Sequence, residues 1–122
     1  MSDSTVNISP AKGLVSIVMP AYNQGAFISE ALDSIIAQTY ADWEVIIVDD
    51  GSPDDVAEVV AKPPPADTRI KFCHTENGGV SAARNYGASM ARGEFLLCLD
   101  ADDVIGPTYL EKCVKQFREH PE

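Results

Sequence analysis

Between Gly13 and Ala61 the chain has no lysine, arginine or histidine, while the same stretch carries nine carboxylates. Over all 122 residues, nine Lys+Arg stand against nineteen Asp+Glu, a net charge of −10. This deficit of positive charge argues against nucleic acid as a partner and against binding driven by an anionic membrane surface. Cysteine is scarce. Cys73, Cys98 and Cys113 are odd in number and widely spaced, so they match neither a disulfide framework nor a zinc site and read as reduced, buried thiols. No apolar run approaches the roughly 18 residues of a membrane-spanning helix. Met1 to Gly13 lacks the hydrophobic stretch of a secretion signal and is expected to be a disordered tail, which makes the Asn7-Ile8-Ser9 glycosylation match a chance one. No G-x-G-x-x-G follows the first expected strand, and no G-x-x-x-x-G-K-[ST] occurs, which removes the dinucleotide and P-loop readings. No Ser-His-Asp or Cys-His set stands out either, and His74 and His120 read as ordinary polar residues.

What is present is an ordinary globular balance, 45% apolar and 23% charged, in a length that suits one domain. Apolar runs alternate with helical patterns. Leu14–Met19, Glu44–Val48, Ile70–Cys73 and Phe95–Leu99 read as strands, the first and last apolar on both faces. Phe27, Ile28, Ala31, Leu32, Ile35 and Ile36 form a helical stripe after the first strand. Ser52 as N-cap and Pro53 at the first position announce a second helix running through Val60 to Pro63-Pro64-Pro65. Val80 to Arg92, closed by Gly93, is a third; Leu110, Cys113, Val114 and Phe117 face inward on a fourth. Strands alternating with helices imply an α/β fold, a Rossmann-like parallel sheet with helices on both faces. Ligands of such sheets bind beyond the carboxyl ends of the strands, where strand order reverses.

Those strand ends carry Pro20-Ala21-Tyr22, the pair Asp49-Asp50, the turn Asn77-Gly78-Gly79, and Asp100-Ala101-Asp102-Asp103. Five acids on one rim repel one another unless a cation or a hydrogen-bond donor sits among them. Asp-x-Asp offers hard oxygen ligands suited to Mn²⁺ or Mg²⁺, and such an ion lets an acidic rim accept a diphosphate. Tyr22 is either a core aromatic or, at a strand end, an exposed platform on which a base can stack, and Arg84 is placed to pair with the rim or reach a ligand.

The segments VSIVMPAYN, SIIAQTY, EVIIVDDGSPD, NGGVSAARNYG and GEFLLCLDADD, in this order, resemble the amino-terminal half of family 2 glycosyltransferases. The resemblance covers about Leu14 to Glu119 and implies the GT-A fold, truncated after the helix that follows Asp-x-Asp. The domain is therefore taken as residues 14–122. It implies a nucleotide-diphosphate sugar, in most members a UDP-sugar, as donor. It places Pro20, Ala21 and Tyr22 against the base, Asp50 with its neighbour Asp49 on the base edge, and Arg84 near the nucleotide. Asp100 with Ala101 would meet the ribose, and Asp102 would bind Mn²⁺ or Mg²⁺. The implied reaction is metal-dependent, inverting transfer of a sugar to an acceptor hydroxyl on a glycan, lipid or protein. The family takes its catalytic base from the carboxyl-terminal half, so none is expected in this chain, and the fragment is expected to be inactive alone. The expected location is the cytoplasm, or the inner membrane face for a longer parent protein. Two other readings compete. One is a receiver-like module phosphorylated on an acidic pocket, which needs its acid pair after the first strand and a later lysine-bearing strand. The other is a non-catalytic nucleotide-binding or dimerisation module, associating through an unpaired edge at the fourth strand.

Overall fold

A strand with apolar side chains at successive positions needs cover on both faces, and the two central strands of the sheet receive it. The computed structural model describes residues 11–53 and 68–119. Among these, β1 (Ala11–Ala21) and β2 (Trp43–Asp50) lie side by side, β3 (Ile70–Thr75) flanks β2, and β4 (Gly93–Cys98) flanks β1. All pairings are parallel and the order is β3-β2-β1-β4. The helices are α1 (Ile28–Ile36), α2 (Val80–Met90) and α3 (Tyr109–Glu119). This is the 3-2-1-4 order of a doubly wound Rossmann-like sheet; a receiver places its third strand beside the first.

The period-2 geometry of a strand divides its apolar residues between two cores. Val15, Ile17 and Met19 of β1 and Val45 and Ile47 of β2 pack with α1 and with Leu110 and Val114 of α3. On the opposite face, Ile46 and Val48 pack against Ala83 of α2. Close approach of α2 depends on Gly87, where a Cβ would overlap Val18 Cγ1 and press on Val48. The sheet thus carries helices on both faces, as the alternating pattern implies.

Several expectations need correction. Ala11, Lys12 and Gly13 belong to β1 rather than to a tail: Ala11 pairs with Gly93, and the Gly13 N–H donates to Glu94 at 2.8 Å while its carbonyl accepts from the Tyr40 hydroxyl. Met1–Pro10 and, beyond Pro53, the expected second helix that runs through Val60 to the prolines lie outside the described residues. β4 is covered on one face only. Phe95 and Leu97 reach the core, whereas Leu96 is 50% exposed and Cys98 is exposed, because among the described residues β4 is an edge strand with no helix on its outer side. The cysteines are free, but none is fully buried. Phe27 and Ile36, at the margins of the α1 stripe, and Met90, near the end of α2, are exposed too.

One buried charge sits at the amino end of the sheet. Glu44 accepts hydrogen bonds from the Ser16 hydroxyl at 2.6 Å, the Arg92 N–H at 2.8 Å and Lys71 Nζ at 2.9 Å. Ser16 Oγ in turn accepts the Gly93 N–H at 2.7 Å, so the carboxylate ties β1, β2 and β3 to the start of β4. Burial alone pushes the carboxyl up, but the donors from Lys71, Ser16 and Arg92 outweigh it and lower it from 4.5 to about 2. A carboxyl depressed by folding adds stability above its unfolded value and loses it as pH falls toward its folded value. Glu44→Gln should therefore cost about 2–3 kcal/mol at neutral pH. Denaturant titrations of both proteins should show that gap narrowing as pH falls from 4.5 toward 2.

Candidate functional site

Parallel strands send their carboxyl ends to one side, and the order reverses where β4 joins β1. A cleft of about 370 Å³ opens there. Its walls are Pro20, Ala21, Tyr22 and Gln24 after β1, Asp50 at the end of β2, Val80 and Arg84 on α2, and Asp100 after β4. Six of the residues expected at a nucleotide site therefore meet in one place. Tyr22 is 48% exposed, an aromatic face open to the cleft.

The five rim acids are handled separately. Asp49 is buried and turned away from the cleft walls. Its Oδ1 accepts the Ser52 N–H at 2.9 Å, and its Oδ2 lies 2.9 Å from His74 Nδ1. Burial pushes this carboxyl up, yet the hydrogen bonds from Ser52 and His74 prevail and hold it below the usual carboxylate range. Asp50, 5% exposed, accepts the Gly78 N–H on Oδ1 at 2.9 Å and the Gly79 N–H on Oδ2 at 3.2 Å. Its backbone carbonyl accepts from Asn77 Nδ2 at 3.1 Å. The turn that delivers these donors runs through Gly79 at φ +95°, and it approaches Gly51 so closely that a Cβ there would stand 2.7 Å from the Asn77 nitrogen. Asp50 is thus a brace between β2 and the start of α2 as well as a wall of the cleft.

The acids after β4 are different. One carboxylate oxygen from each of Asp100, Asp102 and Asp103 falls within 4.8 Å of the others. Asp100 pairs with Arg84 Nη2 at 3.3 Å, and its N–H donates to Asp103 Oδ2 at 3.0 Å. Asp102 and Asp103 are exposed. Ala101 is fully buried in the core, anchoring the loop rather than lining the cleft. Of the cation or hydrogen-bond donor expected among the five acids, donors serve the pair after β2. Asp49 and Asp50 find donors within the protein, and among the described residues only the three acids after β4 cluster closely enough to share an ion. Their hard oxygen donors suit Mg²⁺ or Mn²⁺. On Arg84 the buried Nε–H has no partner, although Nη2 meets Asp100.

Four participants escape a reading of the sequence. Gln24 lines the cleft and accepts the Tyr22 N–H at 3.3 Å, but a glutamine in a polar loop carries no signal. Val80 belongs by spacing to the inner stripe of α2, yet it is 49% exposed on the cleft wall, because the first turn of the helix overhangs the sheet end. His74 is the partner of Asp49; its position near the end of the third strand is legible, its pairing is not. The helix that Ser52 is expected to cap lies outside the described residues; what the sequence does not signal is that its hydroxyl donates to the Ala21 carbonyl at 3.2 Å and accepts the Asn23 N–H at 3.1 Å.

Known proteins resemble this chain in sequence and in fold. The chain is 38% identical over 107 residues to the glycosyltransferase GlyG of Streptococcus pneumoniae serotype 4, covering 87% of this chain and 36% of GlyG. Its fold superposes on S. aureus TarS 1-349 in complex with UDP-GlcNAc with a TM-score of 0.79 at 32% identity, over 88% of this chain and 32% of that one. The mannosyltransferase PcManGT from Pyrobaculum calidifontis, in complex with GDP-Man and Mn²⁺, follows with a TM-score of 0.66 at 27% identity, over 80% of this chain and 31% of that one. The chain therefore spans about a third of the length of each of these relatives. Residues 16–122 match the model of glycosyl transferase family 2, and the chain, a GT-A α/β domain, belongs to that family.

Proposed function

We propose that this chain is the donor-nucleotide portion of an inverting, metal-dependent glycosyltransferase that uses a UDP-sugar. The observation that carries the proposal is the meeting, in one cleft at the switch point of the sheet, of an open aromatic ring, a braced carboxylate, an arginine and the first acid of Asp-x-Asp. Complexes of TarS with UDP-GlcNAc and of PcManGT with GDP-Man and Mn²⁺ support the donor class.

In this reading the base stacks on Tyr22 beside Pro20 and Ala21. Asp50 spends one lone pair of each oxygen on Gly78 and Gly79, and a remaining lone pair accepts an N–H from the base edge. Asp100 meets the ribose, and Arg84 offers its unpartnered Nε–H to the nucleotide. Asp102, with Asp103 and Asp100 close by, would hold Mn²⁺ or Mg²⁺. When bound, that ion supplies Lewis acidity that stabilises the departing nucleoside diphosphate. Asp49 enters this scheme through the loop it holds, and Ala101 through the core, rather than by touching the base or the ribose. We assign the catalytic base and the acceptor site to segments outside the third of the relatives that this chain matches. Asp103 is a poor base, since it sits beside the proposed metal ligand Asp102. The proposed setting is the cytoplasm, or the inner membrane face for a longer parent protein.

The reading predicts that calorimetry with UDP and Mn²⁺ detects binding to the chain, and that Asp102→Ala weakens it at least tenfold without lowering thermal stability. A folded sample that ignores UDP, or an Asp102→Ala variant that binds unchanged, defeats it.

The exposed edge of β4, with Leu96 and Cys98 on its outer face, supports self-association of the 122-residue chain through that strand. Sedimentation equilibrium should show dimers at about 100 μM that dissociate in Leu96→Lys. A monomer at that concentration contradicts the expectation.

A further inference from the structure

We propose that Ser52 is a positioning residue of the nucleotide site, clamping the backbone on both sides of Tyr22 so that the ring is held ready for a base. The proposal rests on the nucleotide-binding reading of the cleft and adds a part to it. A single hydroxyl makes both contacts. Ser52 Oγ donates to the carbonyl of Ala21, the peptide group entering Tyr22, at 3.2 Å. It accepts from the N–H of Asn23, the peptide group leaving Tyr22, at 3.1 Å. The two peptide planes flanking the aromatic residue are thereby tied to the end of β2.

That tie opposes a backbone that would otherwise relax. Asn23 sits at φ +57°, the one non-glycine residue in the left-handed region among the described residues, where even asparagine is a minority conformer. The clamp also has its own support. The Ser52 N–H donates to Asp49 Oδ1 at 2.9 Å, and Asp49 Oδ2 is steadied by His74 from β3 at 2.9 Å. A line of contacts thus runs from His74 through Asp49 and Ser52 to the loop that presents Tyr22. It gives the buried Asp49 a task that needs no contact with ligand, and it accounts for a serine whose hydroxyl points back across the strand ends. A stacking platform contributes most when it is ordered before the ligand arrives, because ordering it on binding subtracts from affinity.

The test titrates the full chain with UDP in the presence of Mn²⁺. Ser52→Ala should raise the dissociation constant about tenfold, the cost of losing a hydrogen-bonded anchor. Ser52→Thr, which keeps the hydroxyl, should stay within about twofold of the parent. Both should remain folded by circular dichroism at the titration temperature. In a Tyr22→Leu background, Ser52→Ala should add no further loss. Without nucleotide, the Asn23 amide should exchange with solvent at least tenfold faster in Ser52→Ala. Parental affinity in Ser52→Ala, the same tenfold loss when Tyr22 is already gone, or an unaltered Asn23 exchange rate overturns the proposal. Failure of the parental chain to bind UDP, with faster Asn23 exchange in Ser52→Ala, instead removes the proposed function, and with it the nucleotide role of the clamp.

Discussion

Carboxylates brought together at the end of a parallel sheet repel one another, and this molecule depends on how each one is compensated. The sheet cannot avoid the problem: parallel strands deliver their final residues to the same side, and both the end of β2 and the loop after β4 carry aspartates. Compensation is local and of different kinds. Asp49 takes a backbone N–H and an imidazole, Asp50 takes two consecutive glycine N–H groups, and Asp100 takes a guanidinium. Of the five rim acids, and among the described residues, only Asp102 and Asp103 face solvent with no ion pair, beside Asp100, which has Arg84.

Each compensating contact also builds the site. The N–H groups that quiet Asp50 belong to the turn that starts α2, so the same contacts place Arg84 on the cleft wall. The N–H that quiets Asp49 belongs to Ser52, which grips the loop carrying Tyr22. Electrostatic relief and positioning are therefore one set of hydrogen bonds. The opposite end of the sheet repeats the device in a purely structural form, where Glu44 collects donors from Ser16, Lys71 and Arg92.

The architecture is legible in the sequence because hydrophobic period is a strong signal. Leu14–Met19 and Glu44–Val48 become the central strands, Ile28, Ala31, Leu32 and Ile35 the buried stripe of α1, and the strand ends the rim. Five motifs in order then add the family. What the sequence conceals is pairing. An unpaired edge at the fourth strand is among the expectations and β4 lies at one, but nothing local in FLLCL reveals that Leu96 and Cys98, rather than Phe95 and Leu97, lack cover. The acid pair after β2 and the Asp-x-Asp loop after β4 read as one rim open to an ion, but nothing local reveals that the N–H groups of Gly78 and Gly79 reach Asp50, and that His74 of β3 reaches Asp49, from more than twenty residues away. Ser52 shows the same limit: nothing local in Ser-Pro-Asp-Asp reveals that the hydroxyl reaches across the strand ends to Ala21 and Asn23.

The central claim is that the acids after β4, and not the whole rim, are left to share a cation. Paramagnetic broadening by Mn²⁺, added with UDP to isotope-labelled protein, measures this directly. Amide signals of Asp100 to Asp103 should vanish first, while those of Ser16, Glu44 and Gly93 at the far end of the sheet persist. Broadening centred on Asp49 and His74, or spread equally over both ends, would contradict the account.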